Sequence, residues 1–277
     1  MIKNQYKPLL VTIFLFASSL SYADISDEST NKLLNLSGLT KQVDQFPGLF
    51  KAGLEQAKQQ STSIPDDQYS LIVHSVDESI LPSEIIEEIR ISLKKSINEK
   101  EAEKLLAWYE SDLGKKITRA EESASTPEAY QQMMQLAQSL LENSERVEFA
   151  NRIDVLVGAT EMTMDIQKNT GIAVYSAIMT AIKPDTPLNI EPFKAQMDAL
   201  IEQTRATTKQ IATISFVYSY RNIKTNNLKK YETFLSEDTT MKFNKAIMDG
   251  MNRGIKNSAS RWADLLAKIF KSKKPKS

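Results

Sequence analysis

Apolar residues recur every three to four positions along almost the whole chain, and the residues that break such a period are few: 8 glycines and 9 prolines in 277 residues. That period buries one stripe of a helix, whereas a half-buried strand alternates. The chain is therefore expected to be all-α. Long helices with one apolar stripe bury it against one another, so the expected architecture is a multi-helix bundle.

The breakers place the helix ends. A first helix over residues 28–36 is expected to stop at Gly38, and a second over 39–60 to be kinked or restarted by Pro47. Residues 61–64 read as a turn. Pro65-Asp66-Asp67 and Leu81-Pro82-Ser83 each open a helix, because proline suits the first helical turn and acids suit the dipole there. The run from Glu101 puts Leu105, Trp108 and Tyr109 on one face and turns between Ser111 and Gly114. Thr126-Pro127-Glu128 pairs a capping hydroxyl with proline at the first helical position. After Asn143-Ser144 one long helical stretch is expected up to Ile182, before the loop Lys183-Pro184-Asp185-Thr186-Pro187, and further helices over 192–222, 228–235 and 238–271.

Two weak echoes suggest that the chain repeats itself. Leu36-Ser37-Gly38-Leu39 resembles Leu156-Val157-Gly158-Ala159, 120 positions on, and Trp108-Tyr109-Glu110-Ser111-Asp112 resembles Phe234-Leu235-Ser236-Glu237-Asp238, 126 positions on. The expected organisation is a leader over 1–23, a helical half over 24–143, and a second half over 144–277 that is a divergent repeat with a basic tail.

The leader has Lys3 and Lys7, an apolar run from Leu9 to Leu20, and the small-residue end Ser21-Tyr22-Ala23, the three parts of a secretory signal peptide. About a dozen apolar residues fall short of the roughly 20 that span a bilayer, so cleavage after Ala23 is expected rather than anchorage. No later stretch reaches that length. The remainder would carry 33 basic and 35 acidic residues, a formal charge of −2, which argues against a nucleic-acid partner. With no cysteine in the chain, neither a lipidated N-terminus nor a disulfide is available. The expected location is periplasmic or secreted.

The segment Leu105-Leu106-Ala107-Trp108-Tyr109-Glu110-Ser111-Asp112-Leu113-Gly114-Lys115-Lys116 resembles a signature of the domain of unknown function 2059 family of exported bacterial proteins. Trp108, Tyr109, Ser111, Gly114 and Lys116 occupy its apolar, small, glycine and basic places. The run Leu33-Leu34-Asn35-Leu36-Ser37-Gly38-Leu39 is similar to the family's opening helix. In the second half Thr240 stands where Gly114 would have its counterpart. The resemblance implies an all-helical exported protein and assigns no catalytic residue.

The residues themselves point the same way. His74 is the one histidine, so a site built from two or three histidines is excluded within one chain, and no metal or cofactor is expected. His74 reads as a packed or surface helix residue. The adjacent pairs Glu87-Glu88 and Glu121-Glu122 point to different sides of their helices and read as solvated surface. Trp108 and Tyr109 read as core, Gly114 as a turn or close-packing position, and Phe216, Tyr218 and Tyr220 as part of a buried helix. No nucleophile elbow, metalloprotease or phosphate-loop motif occurs, so no catalytic residue is assigned and an enzyme is not expected. The last helix ends in Trp262, Leu265, Leu266, Ile269 and Phe270 followed by lysines. Trp262, Lys271, Lys273 and Lys274 are therefore the candidate contacts to a membrane surface or partner. The expected function is a noncatalytic exported helical protein that binds an envelope protein or lipid. The alternative is a carrier that holds a small apolar molecule or lipid in a helical cavity adaptable through ten methionines.

Overall fold

Four helices of the first half begin at a residue whose side chain accepts from one of their free amides. The computed structural model describes residues 24–60, 66–182 and 189–272. Ser26 accepts from the Ser29 amide at the start of α1 (Asp27–Leu36), and Gly38, at φ 75°, turns the chain into α2 (Leu39–Asp44). α3 (Phe46–Gln60) restarts with Pro47 in its first turn, and α4 (Asp66–Ser79) begins beyond residues 61–65, which lie outside the described residues together with the turn expected there. Pro82 opens α5 (Pro82–Ser96). Asn98 and Glu101 close a reciprocal capping box on α6 (Glu99–Glu110). Ser111 caps α7 (Asp112–Ala124), and Thr126 caps α8 (Pro127–Leu141) through the Ala129 amide.

In the second half a side-chain cap opens the first helix, while two later helices begin without one. α9 (Ser144–Val157) starts at the Asn143 side chain and ends at Gly158, φ 67°. Gly38 and Gly158 are the positive-φ residues among those described, 120 positions apart, each joining two helices as only a residue without Cβ does easily. The buried Asp154 carboxylate then accepts from the amide (2.8 Å) and hydroxyl (2.6 Å) of Thr160 in the first turn of α10 (Ala159–Ile182). The expected loop at 183–187 lies outside the described residues. α11 (Glu191–Tyr220), α12 (Thr225–Leu235) and α13 (Asp238–Ser272) complete the chain. The fold is all-α, and among the described residues Asp24 and Asn98 form a single isolated β-bridge without any strand.

The sequence echoes fall on equivalent joints. α7 and α13 begin at Asp112 and Asp238, 126 positions apart, and the paired aromatic residues Trp108 and Phe234 stack on each other with centroids 4.3 Å apart. The glycine-to-threonine departure has a geometric cause. Between α6 and α7 only Ser111 intervenes, in extended conformation, and a Cβ on Gly114 would lie 2.0 Å from the Trp108 carbonyl oxygen. Between α12 and α13 two residues intervene and Ser236 stays helical, so the turn is wider and Thr240 fits, fully buried.

The halves interlock through α13 and α11. α13 packs along α5 and α4 of the first half as well as α10, while α7 packs on α11. One hydrophobic cluster accordingly takes Leu33, Ile85, Ile89 and Leu105 from the first half and Tyr220, Phe243, Ile255 and Trp262 from the second. The α5–α13 crossing is closest at Gly250, where an added Cβ would stand 2.5 Å from the Ile89 Cα and 2.7 Å from the Glu88 carbonyl oxygen, and at Gly254, where it would stand 2.8 Å from the Ile85 Cα. Those are backbone atoms and cannot swing away.

Gly250→Ala is therefore expected to destabilise the protein by about 1–3 kcal/mol through overpacking, although alanine is the better helix former by ~1 kcal/mol. Gly48→Ala, in a helix with nothing within 4 Å of the new methyl, is expected to be neutral or stabilising. Urea unfolding of both variants checks the contrast, and equal effects would refute the close crossing.

Candidate functional site

α7 carries Gly114, Ile117, Thr118 and Glu121 at spacings of three and four, so one stripe of this helix faces inward. The first three are buried. Glu121 lies in phase with them and turns its carboxylate into the interior, contrary to the solvated surface expected of it. Its Oε1 accepts from the Tyr220 hydroxyl at 2.6 Å and the Tyr231 hydroxyl at 2.8 Å. Tyr220, at the end of α11, is 1% exposed and Tyr231, in α12, 7%. The neighbouring Glu122 does reach the surface and binds Lys41 of α2 at 3.0 Å.

Aromatic rings enclose this carboxylate. Tyr220 lies edge-on to Phe149 and Tyr231 and parallel to Phe216, and Trp108 stacks between the levels of Tyr231 and Phe234. Burial in that apolar surround pushes the Glu121 carboxyl above the ordinary carboxylate value, opposed by the two phenol hydrogen bonds. The phenols of Tyr220 and Tyr231 are pushed well up, by burial first and by the Glu121 charge second, and Tyr109 is raised for the same two reasons. A carboxyl raised in this way resembles the acids used in catalysis. Here its Oε1 is engaged by two buried phenols, and what the arrangement does is join α7 to α11 and α12.

One arginine ties off a helix end at this joint, and another does so at the end of α4. Arg146 of α9 donates to the Tyr220 carbonyl (3.2 Å) and the Ile223 carbonyl (2.7 Å), and Arg261 of α13 donates to the Ser79 carbonyl at the end of α4 (3.0 and 3.1 Å). Each guanidinium satisfies carbonyls that a helix end leaves free.

The residues singled out from sequence are scattered by the fold. Trp262 is fully buried, and its indole N–H donates to the Ser75 hydroxyl at 2.8 Å, which corrects its assignment as a membrane or partner contact: the ring is core between α13 and α4. Lys271 falls in the last turn of α13, while the side chain of Lys271 and the whole of Lys273 and Lys274 lie outside the described residues. His74 is exposed on α4, beside a shallow open depression shared with Lys51, Glu55, Tyr69 and Asp77. A second open depression runs along α13 past Asn257, Ser260, Arg261 and Asp264. Trp108 and Tyr109 pack against the core, as expected, and Phe216, Tyr218 and Tyr220 lie on a helix with Tyr218 and Tyr220 buried. Among the described residues no group of three metal-ligating side chains forms, and no helix is long and apolar enough to cross a membrane.

These features define an all-helical protein with a carboxylate–phenol joint between α7, α11 and α12. Residues 83–143, from the second residue of α5 to just past the end of α8, match the model of a family described as an uncharacterized protein conserved in bacteria (DUF2059). The match takes in the Leu105–Lys116 segment and Glu121, and leaves Leu33–Leu39 outside it. No curated protein and no solved structure matches the chain.

Replacing Tyr231 by phenylalanine removes one donor from a buried acceptor, which costs about 1–3 kcal/mol. Tyr130→Phe, at a residue 52% exposed on α8, is expected to leave stability unchanged, and denaturant unfolding of the pair checks both.

Proposed function

We propose that this protein is an exported, noncatalytic helical module that binds another component of the bacterial envelope, protein or lipid. The observation that carries the reading is the outer side of α8, inside the family-matched segment. Tyr130 and Met134 are 52% and 45% exposed, while Ala129 and Met133 of the same helix are buried against Ile214 and Tyr218. Tyr130 and Met134 stand four apart and so share a face. Large apolar side chains grouped in water on one helix are a feature of surfaces that meet a partner. Export is supported by the three-part leader over residues 1–23 and by the immediate engagement of the residues after it: Ile25 is buried at 3% and Ser26 caps α1.

Produced with its leader in a bacterial host, the protein is expected in the periplasm or medium with Asp24 as its N-terminus by mass spectrometry. A cytoplasmic chain that keeps residues 1–23 would sink the export reading. A photo-crosslinking side chain at Gln138 is expected to give one discrete adduct, absent when it stands at Lys256 of α13. Tyr130→Ser combined with Met134→Ser is expected to abolish that adduct with the melting temperature unchanged. An adduct indifferent to those substitutions would overturn the assignment of the α8 surface.

A further inference from the structure

Glu121 is a half-buried acid whose carboxylate connects parts of the chain 99 and 110 residues apart, and two features of its geometry give it more than a bracing role. Both phenols converge on the same oxygen, Oε1. A carboxyl that takes up a proton on its other oxygen keeps Oε1 as a carbonyl acceptor, so both bonds survive protonation. The groups around it offer no compensating cation. From α6 it faces Tyr109, from α11 Tyr220 and from α12 Tyr231, and its neighbour on α7 is the acidic Glu122. Lys41 is engaged by Glu122 and Arg146 by the carbonyls of Tyr220 and Ile223. The neutral acid thus keeps the hydrogen bonds of the cluster without the desolvation cost that the anion carries there.

We propose that Glu121, Tyr220 and Tyr231 form a proton-operated latch between the two halves of the chain, tight when the carboxyl is neutral and loosened when it ionises. Because burial raises the proton affinity of Glu121 in the folded chain, the stabilisation it contributes is fully present below the ordinary glutamate value. It is lost as the pH rises through the raised folded value. The elements that should loosen are α7 and the end of α11, since the latch joins them. α5, held by the close crossing with α13, should not respond.

The test compares the wild-type chain with Glu121→Gln, whose amide oxygen can take the place of Oε1 and cannot ionise. The difference in melting temperature between the two is expected to grow in favour of the variant from about pH 5 to about pH 8.5, on a scale of about 3 °C for each unit by which proton affinity differs between folded and unfolded chain. Amide exchange in α7 of the wild type, corrected for intrinsic rate, should accelerate relative to α5 over the same interval and stay constant in the variant. Parallel melting profiles with unchanged α7 protection would overturn the latch. Should the variant fail to fold, carbon NMR of the wild-type glutamate carboxyls decides: Glu121 titrating above the exposed glutamates supports the latch, and titration together with them refutes it.

Discussion

The contact on which the rest of the structure depends is the crossing of α5 and α13. Ala246, Gly250, Gly254 and Ser258 recur every four residues and are all buried, giving α13 a flat side along which the α5 backbone at Ile85, Glu88 and Ile89 lies directly. Small residues at that spacing let two helices approach backbone to backbone, so dispersion contacts are made by main-chain atoms that cannot relax away. The approach also sets the height of everything else on α13. Arg253 reaches Glu88 and Ser92 from it, Arg261 reaches the end of α4, and Trp262 fills the space beside Ser75.

A bundle that interlocks in this way has many helix ends inside it, and each one brings polar groups that water would otherwise satisfy. The chain answers with side chains from distant segments. Glu99 illustrates it: hydrogen bonds from the Ser29 hydroxyl and the Ser26 amide hold its carboxyl below the ordinary value while tying α6 to the start of α1. Glu101 is pushed up by burial but held down on balance by Lys242 and the Asn98 amide, and it links α6 to α13. Glu121 is the case in which burial wins, because its partners are neutral phenols rather than a cation or a charged network. The same residue type thus sits on opposite sides of its ordinary titration according to what the fold brings next to it.

The helix joints were legible because they are local. Gly38, Pro47, Pro82, Ser111 and Thr126 act on their own few residues, and the structure uses each where the sequence placed it, whereas Gly158 divides into α9 and α10 a stretch expected to run unbroken to Ile182. Asp112 and Asp238 both begin helices, and Gly38 and Gly158 both turn the chain. The departure at Thr240 was visible as a letter. Its cause, a joint longer by one residue, belongs to the backbone path.

Period, caps and breakers operate within a turn or two, so the class and the punctuation, an all-helical chain with helices of defined ends, follow from local residues alone. The phase of Glu121 with Gly114, Ile117 and Thr118 was already there to read, although a glutamate beside another glutamate looks like surface. Only the tertiary structure decided that Tyr220 and Tyr231, 99 and 110 residues away, would close on that carboxyl, and that Trp262 would turn inward to Ser75 instead of outward beside the lysines. Burial is a property of which stripes meet. A helix carrying apolar residues on one side states that it must be covered, and the partner that covers it is chosen by packing across the whole chain.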